Sequence, residues 1–193
     1  MVLAISINEA YAVPMANIPP TDAFSYPQLK VNDIDKPFEI ADYLQGRGVQ
    51  YSFGGKDTAI LNGQVDNLDS LTGLDCSGFA GVCIYHMTDG SVNLEDQNSQ
   101  GQGAWAAGQG YKESDPDSAT NTNGDLYLFM LPDTASSDGI GHVGFILNSA
   151  TAESYGSHGP GSRPWGPTDD GGDNPSWGWQ EHCKVWVLAL ATG

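Results

Sequence analysis

The run Leu74-Asp-Cys-Ser-Gly-Phe79 holds the residues best suited to chemistry. Asp75 is a good helix N-cap, which puts Cys76 in the first turn of a predicted helix. There the unpaired backbone N–H groups and the helix dipole favour negative charge. A thiol so placed is expected to ionise below its usual pKa of about 8.5, toward about 3.5–7.5. Ser77 and Gly78 are small and leave a substrate room to approach the sulfur. Such a nucleophile needs a partner that takes the thiol proton and later hands it to a leaving amine, and His is the usual one.

The His residues are His86, His142, His158 and His182. His142 opens the strand-like run Gly141-His-Val-Gly-Phe-Ile146, right after a glycine-rich turn. A sheet packed on the Cys helix could aim that imidazole at the sulfur. His86 lies nearly three turns beyond Cys76 on the same helix, too far to pair. His86, His158 and His182 read as structural or surface residues. Cys83 and Cys183 read as small buried apolar residues. Three Cys suit either one disulfide with one free thiol or three free thiols. Zinc held by Cys76, Cys83 and His86 is rejected, because two helical turns, about 10 Å, separate the two Cys. Neither a metal nor a cofactor is expected.

Four motifs follow one another: Tyr51-Ser-Phe-Gly-Gly55, Leu74-Asp-Cys-Ser-Gly-Phe79, Gly124-Asp-Leu-Tyr-Leu-Phe129 and Gly141-His-Val-Gly-Phe-Ile146. In that order they resemble the NlpC family of bacterial cell-wall cysteine peptidases, over residues 36–190. The resemblance implies a papain-like fold and cleavage of peptide bonds in peptidoglycan stems. The typical bond joins D-glutamate, through its γ-carboxyl, to a diamino acid such as diaminopimelate. Cys76 would be the nucleophile, and His142 the general base and then acid. The Tyr51 hydroxyl would help the Cys76 N–H form an oxyanion hole. Asp75 and Ser77 would shape the helix start and line the substrate groove, and the Gly124-Asp125 turn would enter the strand before that of His142. In the family a polar residue, often His, orients the base from the next strand, about a dozen residues on. That region here reads Ala150-Thr-Ala-Glu-Ser-Tyr155, with no His in register. Glu153 fits best, since a carboxylate accepts the imidazole N–H and stabilises imidazolium. Ser154 is a weaker orienter, and His158 lies further along the loop.

Periodicity and turn residues give the elements that would carry these groups. Residues 1–35, with scattered Pro, read as an extended arm or linker, and residues 36–193 as the domain. A helix is expected over 38–45, stopped by Gly46 and Gly48, then a short extended piece over 49–55. Residues 56–73 read as an insertion loop. The Cys helix should run to Met87 with Cys76, Phe79, Cys83 and Met87 on one face. A second short helix is expected over 98–107 and a loop over 110–124. Strands are expected over 125–130, 142–147 and 184–190, with a weaker one over 151–155. The fold class is α+β, with N-terminal helices packed on a small antiparallel sheet.

Residues 156–180 form a long loop of Gly, Pro, Asp and Trp. Its Asp169-Asp-Gly-Gly-Asp173 cluster matches no established calcium loop and reads as solvated. Trp165, Trp177 and Trp179 suit a platform for a sugar or peptide, and equally a plug for the end of the domain.

The chain of 193 residues carries a net charge of −17. That argues against nucleic acid, which needs a basic footprint, and against anionic membrane. No run approaches 18 apolar residues, so no membrane insertion is expected. The opening twelve residues lack a basic start and are not read as a signal peptide. The expected partner is a peptidoglycan stem peptide, with an immunity or carrier protein where the chain is an interbacterial effector. A phage lysin suits the acidic single domain too. Either role places it in the bacterial periplasm or cell wall, by secretion or delivery. The rival readings are a papain-like acyltransferase or lipid deacylase, and an inert wall-binding or assembly module.

Overall fold

The computed structural model describes residues 29–31, 36–64, 68–116, 126–133, 141–148, 153–157, 183–188 and 190–192. In chain order they form β1 (Leu29–Val31), α1 (Lys36–Gly46), β2 (Gln50–Tyr51), α2 (Thr58–Leu61), a 3-10 turn (Leu68–Ser70), β3 (Gly73–Leu74), α3 (Cys76–Met87) and α4 (Ser99–Gly108). Then come β4 (Lys112–Ser114), β5 (Leu126–Leu131), β6 (His142–Asn148), β7 (Glu153–Tyr155), β8 (Lys184–Leu188) and β9 (Leu190–Thr192). The mixture of helix and antiparallel sheet is that of an α+β domain.

The β-branched and aromatic runs β5, β6 and β8 make the centre of a five-stranded antiparallel sheet, ordered β4-β8-β5-β6-β7. Their period of two sorts side chains onto two faces. Leu128, Met130, Val143, Phe145, Trp186 and Leu188 join the helices in the main core. Phe129, Leu131, Ile146 and Val185 form a second cluster on the opposite face. The helix layer meets the first face through Phe79 of α3, whose ring lies 6.3 Å from that of Phe145. Gly103 of α4 brings backbone close to Met130 and Trp186.

Helix α3 is buried on nearly every side rather than along one stripe: Phe79, Ala80, Val82, Cys83, Ile84 and Met87 are all closed to solvent. Its two glycines follow from that. A Cβ at Gly78 would collide with the Gly55 carbonyl oxygen, and one at Gly81 with a carboxylate oxygen of Glu95. The helix-weakening glycines are what lets a helix sit this deep.

Several expected boundaries move. Residues 56–73 are not a plain loop, because α2 and the 3-10 turn lie within them. Asp57 caps α2, its Oδ1 accepting the N–H groups of Ala59 at 2.7 Å and Ile60 at 3.2 Å. A four-residue helix is too short to show periodicity. Residues 110–124 include β4, whose Lys112 and Glu113 are exposed. Such a polar edge strand takes its conformation from β8 rather than from its own hydropathy. The last strand divides into β8 and β9, and β9 pairs parallel with β1, Leu29 opposite Leu190. Residues 29–31 of the expected arm are therefore a docked strand.

The expectations for residues 1–28, for Gly124 and Asp125, for His158 and His182, for the Asp169–Asp173 cluster and for Trp165, Trp177 and Trp179 lie outside the described residues. None of the three cysteines is in a disulfide.

Candidate functional site

The start of α3 is built by a short stitched turn. Tyr51 pairs with Leu74 in the parallel β2–β3 ladder, and the Ser52 N–H donates to the Leu74 carbonyl at 3.1 Å. The chain then reverses through Gly54, at φ +73°, and Gly55 donates back to Ser52 O at 2.8 Å. The Asp75 N–H donates to Gly55 O at 3.0 Å. Gly55 cannot carry a side chain here, because a Cβ would lie 2.7 Å from the carbonyl oxygens of Ser52 and Gly73. The Tyr51-to-Gly55 motif and the Asp75-Cys76 motif are thus one structure. Phe53, at the tip of this turn, is exposed.

Asp75 caps α3, accepting the Gly78 N–H at 2.7 Å and the Ser77 hydroxyl at 2.9 Å. A cap of this kind contributes about 1 kcal/mol. Cys76 is then the first helical residue, as the sequence predicts. Ser77 is buried, and its hydroxyl is engaged by Asp75 and Lys56 instead of lining an open groove.

The thiol's charge state departs from expectation. The backbone N–H groups of Val143 and Ser77 face the sulfur and favour the thiolate, as does the Lys56 ammonium. Burial and the neighbouring Asp75 carboxylate outweigh them and push the Cys76 thiol up to about 11. The free protein therefore holds Cys76 as a neutral thiol at pH 7. Helix-start stabilisation is a local effect, and the desolvation that overrides it comes from the whole fold.

His142 begins β6 and is buried. It pairs with Leu131, and its ring lies 5.6 Å from the Phe129 ring, so it shares the face of the second cluster. Gly144 makes that contact feasible: a Cβ there would stand 2.8 Å from the Phe129 ring. Val143 faces α3 instead. Cys76 is thus brought to the peptide joining His142 and Val143, while the imidazole packs against Phe129. The imidazole springs from a Cα only two bonds from the nitrogen that faces the sulfur.

Tyr51, half-buried, is tied by register to the residue two before Cys76. Glu153 is placed differently from expectation. It pairs with Asn148, beyond an irregularity in the β6–β7 ladder and at the far end of β6 from His142. Six residues of strand span roughly 20 Å, beyond any carboxylate's reach. Glu153 therefore does not orient His142. Ser154, opposite Ile146, is roughly 13 Å along the same strand. β7 runs antiparallel to β6, so the chain approaches the His142 end as it passes from Glu153 through Tyr155. Ser157 is the residue that arrives, its buried hydroxyl donating to Leu74 O at 2.7 Å beside the start of α3.

A polar cluster behind the helix start escapes sequence reasoning. Lys56 Nζ donates to Ser77 Oγ at 2.5 Å and to Gln97 O at 3.0 Å, and pairs with Asp75 Oδ1 at 3.4 Å. Gln102 Nε2 donates to Ser77 O at 2.7 Å. Glu95, closed to solvent, accepts the Asp57 N–H. Burial pushes its carboxyl up to about 8, against the pull of that N–H and of Lys56. The sequence carries one signal of this cluster, Lys56 itself, a cation directly after a motif in a chain with only 7 Lys and Arg.

No protein-family model, no curated protein and no solved structure matches the chain.

Proposed function

We propose that the chain is a cysteine peptidase or amidase that hydrolyses a peptidoglycan stem peptide. The observation that carries this reading is Cys76 in the first turn of a capped helix, its sulfur facing the Ser77 and Val143 N–H groups beside the His142 backbone. The substrate class, and the γ-D-glutamyl bond to a diamino acid in particular, comes from the resemblance to the NlpC motifs. The papain-like fold belongs to the same proposal.

A thiol held neutral must lose its proton as it attacks. His142, once its ring has left Phe129 and reached the sulfur, accepts that proton while Sγ bonds to the carbonyl carbon. The Cys76 N–H and the Tyr51 hydroxyl hold the oxyanion. The imidazolium protonates the leaving amine as the C–N bond breaks, leaving a thioester. His142 then takes a proton from water, the resulting hydroxide attacks the thioester, and the C–S bond breaks as the imidazolium returns its proton to the sulfur. The products are the thiol and a carboxylic acid, which ionises to the carboxylate at neutral pH.

The experiment is digestion of purified sacculi with mass analysis of the muropeptides. Cys76→Ala is expected to abolish release of new amines with an unchanged far-ultraviolet circular dichroism spectrum. An undiminished rate sinks the proposal, and transferred acyl groups in place of free stem fragments move it to an acyltransferase. The neutral thiol and the seat of the His142 ring against Phe129 favour a second reading, an inert wall-binding or assembly module. The effector role is separated from a lysin by mixing the protein with candidate immunity or carrier partners on a sizing column, alongside periplasmic against cytoplasmic expression tested for lysis.

A further inference from the structure

We infer that Lys56 is a positioning residue for the nucleophile: its ammonium offsets the Asp75 carboxylate at the start of α3, so that a thiolate at Cys76 forms beside a neutralised neighbour. The inference rests on the peptidase reading for its consequence in turnover, while the thiol itself can be tested without substrate.

Asp75 has two duties that conflict. As N-cap it must be a hydrogen-bond acceptor, and it takes the Gly78 N–H and the Ser77 hydroxyl. As the residue before Cys76 it sets a negative charge next to the sulfur, which opposes ionisation. Lys56 resolves the conflict. It arrives from the β2–α2 connection, and Ser77 Oγ, Gln97 O and Asp75 Oδ1 hold its ammonium in place. Both members of the ion pair are largely shielded, with side-chain exposures of 18% and 14%. The pair is therefore screened far less by water and salt than a surface pair.

The other ionisable groups around the site do not supply this charge. Tyr51 on β2 and Asp57 at the start of α2 are acids, and Asp57 can only add negative charge. Glu95, behind the helix, is held largely protonated at neutral pH. His142 on β6 packs against Phe129 on the other face of the sheet. Lys56 is the cation among these groups whose contacts join it to the α3 start, through Asp75 and Ser77.

The test is the rate at which iodoacetamide alkylates Cys76 in the full chain at pH 8, read by mass spectrometry of the Cys76 peptide. Below its pKa a thiol reacts in proportion to its thiolate fraction, offset by a nucleophilicity that rises with pKa at a Brønsted slope of about 0.4–0.5, so raising the pKa by one slows the reaction about 3–4-fold. Lys56→Met is expected to slow alkylation about 3–4-fold, for a shift of about one unit, the low end of what an opposite charge within about 4–6 Å does. Lys56→Arg should stay within about twofold of the wild type. Asp75→Asn keeps the cap and removes the charge, and should speed alkylation about 3–4-fold. The double variant Lys56→Met/Asp75→Asn should return close to the wild-type rate. A lysine that merely glues the loop to α3 gives the opposite sign, since loosening the site exposes the sulfur and speeds Lys56→Met. That result, or an unchanged Lys56→Met rate in a folded protein, overturns the inference. If Lys56→Met does not fold, Asp75→Asn decides alone, and no acceleration overturns it. Should these rates come out as expected while the wild type releases nothing from sacculi, the peptidase reading fails and the charge assignment stands.

Discussion

Replacing Glu95 by Gln isolates one buried titration under the candidate nucleophile. Burial holds the Glu95 carboxyl near 8, against an ordinary value of 4.5. The native state thus binds this proton more tightly than the unfolded chain. The contribution to stability is complete below about pH 4.5 and is lost as pH rises through about 8. At 1.36 kcal/mol per pH unit, this group alone removes about 3–4 kcal/mol between pH 5 and 8. For a domain of this size that is a fall in Tm of roughly 6–16 °C. Gln copies the shape of the neutral acid and can still accept the Asp57 N–H, but it does not titrate. Urea melts of both proteins at pH 5, 6, 7 and 8 are the assay. The two stability curves should lie close together at pH 5 and separate steadily upward, with Glu95→Gln the more stable at pH 8. Taking the difference cancels every other titrating group. Parallel curves across the range would refute the account of a desolvated carboxyl behind α3.

Gly78→Ala should lower Tm, by up to roughly 8 °C: overpacking against the Gly55 carbonyl, costing up to about 3 kcal/mol, exceeds the gain of about 1 kcal/mol in helix propensity. Gly108→Ala, where no atom lies within 4 Å, should leave Tm unchanged or raise it, and equal melting of the two variants contradicts the close approach at Gly78. With its thiol near 11, Cys76 should react with iodoacetamide about 10–20-fold more slowly at pH 7 than a thiol at the ordinary 9.0, the smaller thiolate population outweighing its greater nucleophilicity, and its rate should climb about tenfold per pH unit from 8 to 10. A plateau below pH 8 contradicts the burial argument, and a Cys76 no faster than the fully buried Cys83 favours the inert module.

What is legible in the sequence is local. Asp75 as cap, Cys76 as first helical residue and the starts of β6 and β8 depend on neighbours within a few positions, and the structure puts them there. The sheet pairing that gives β4 its shape and the docking of β1 on β9 depend on partners far along the chain, and nothing in Lys112–Ser114 signals them. The same division runs through the site. Helix-start stabilisation of the thiol is local and follows from the sequence; the burial that reverses it is set by the packing of β6 on α3. Spacing from His142 along the sequence favours Glu153, whereas the antiparallel ladder puts Glu153 opposite Asn148. Lys56 and Glu95 are single charged residues 39 positions apart, joined by contacts that only the fold makes, Lys56 Nζ to Gln97 O and the Asp57 N–H to Glu95.

A neutral thiol restricts how catalysis at this site can work. A thiolate with a pKa of about 11 is intrinsically more nucleophilic than one of about 7. With a Brønsted slope of about 0.4–0.5, that difference is worth about 40–100-fold. Its population at pH 7 is smaller by about 10⁴, so an unaided Cys76 comes out about 100-fold behind or worse. A general base that removes the proton during attack typically contributes about 10²–10⁴-fold, which covers the deficit. A preformed thiolate–imidazolium pair would make the base redundant in this step. The neutral thiol of the half-buried Cys76 makes it indispensable, and the motion that matters is then the swing of the His142 ring away from Phe129. Gly144 leaves space over β6 for the Phe129 ring, so a flat aromatic surface flanks the resting imidazole on that side. Each atom pair across that aromatic contact contributes only about 0.1–0.2 kcal/mol and has no directional demand, so the ring face itself does not fix the imidazole in one orientation.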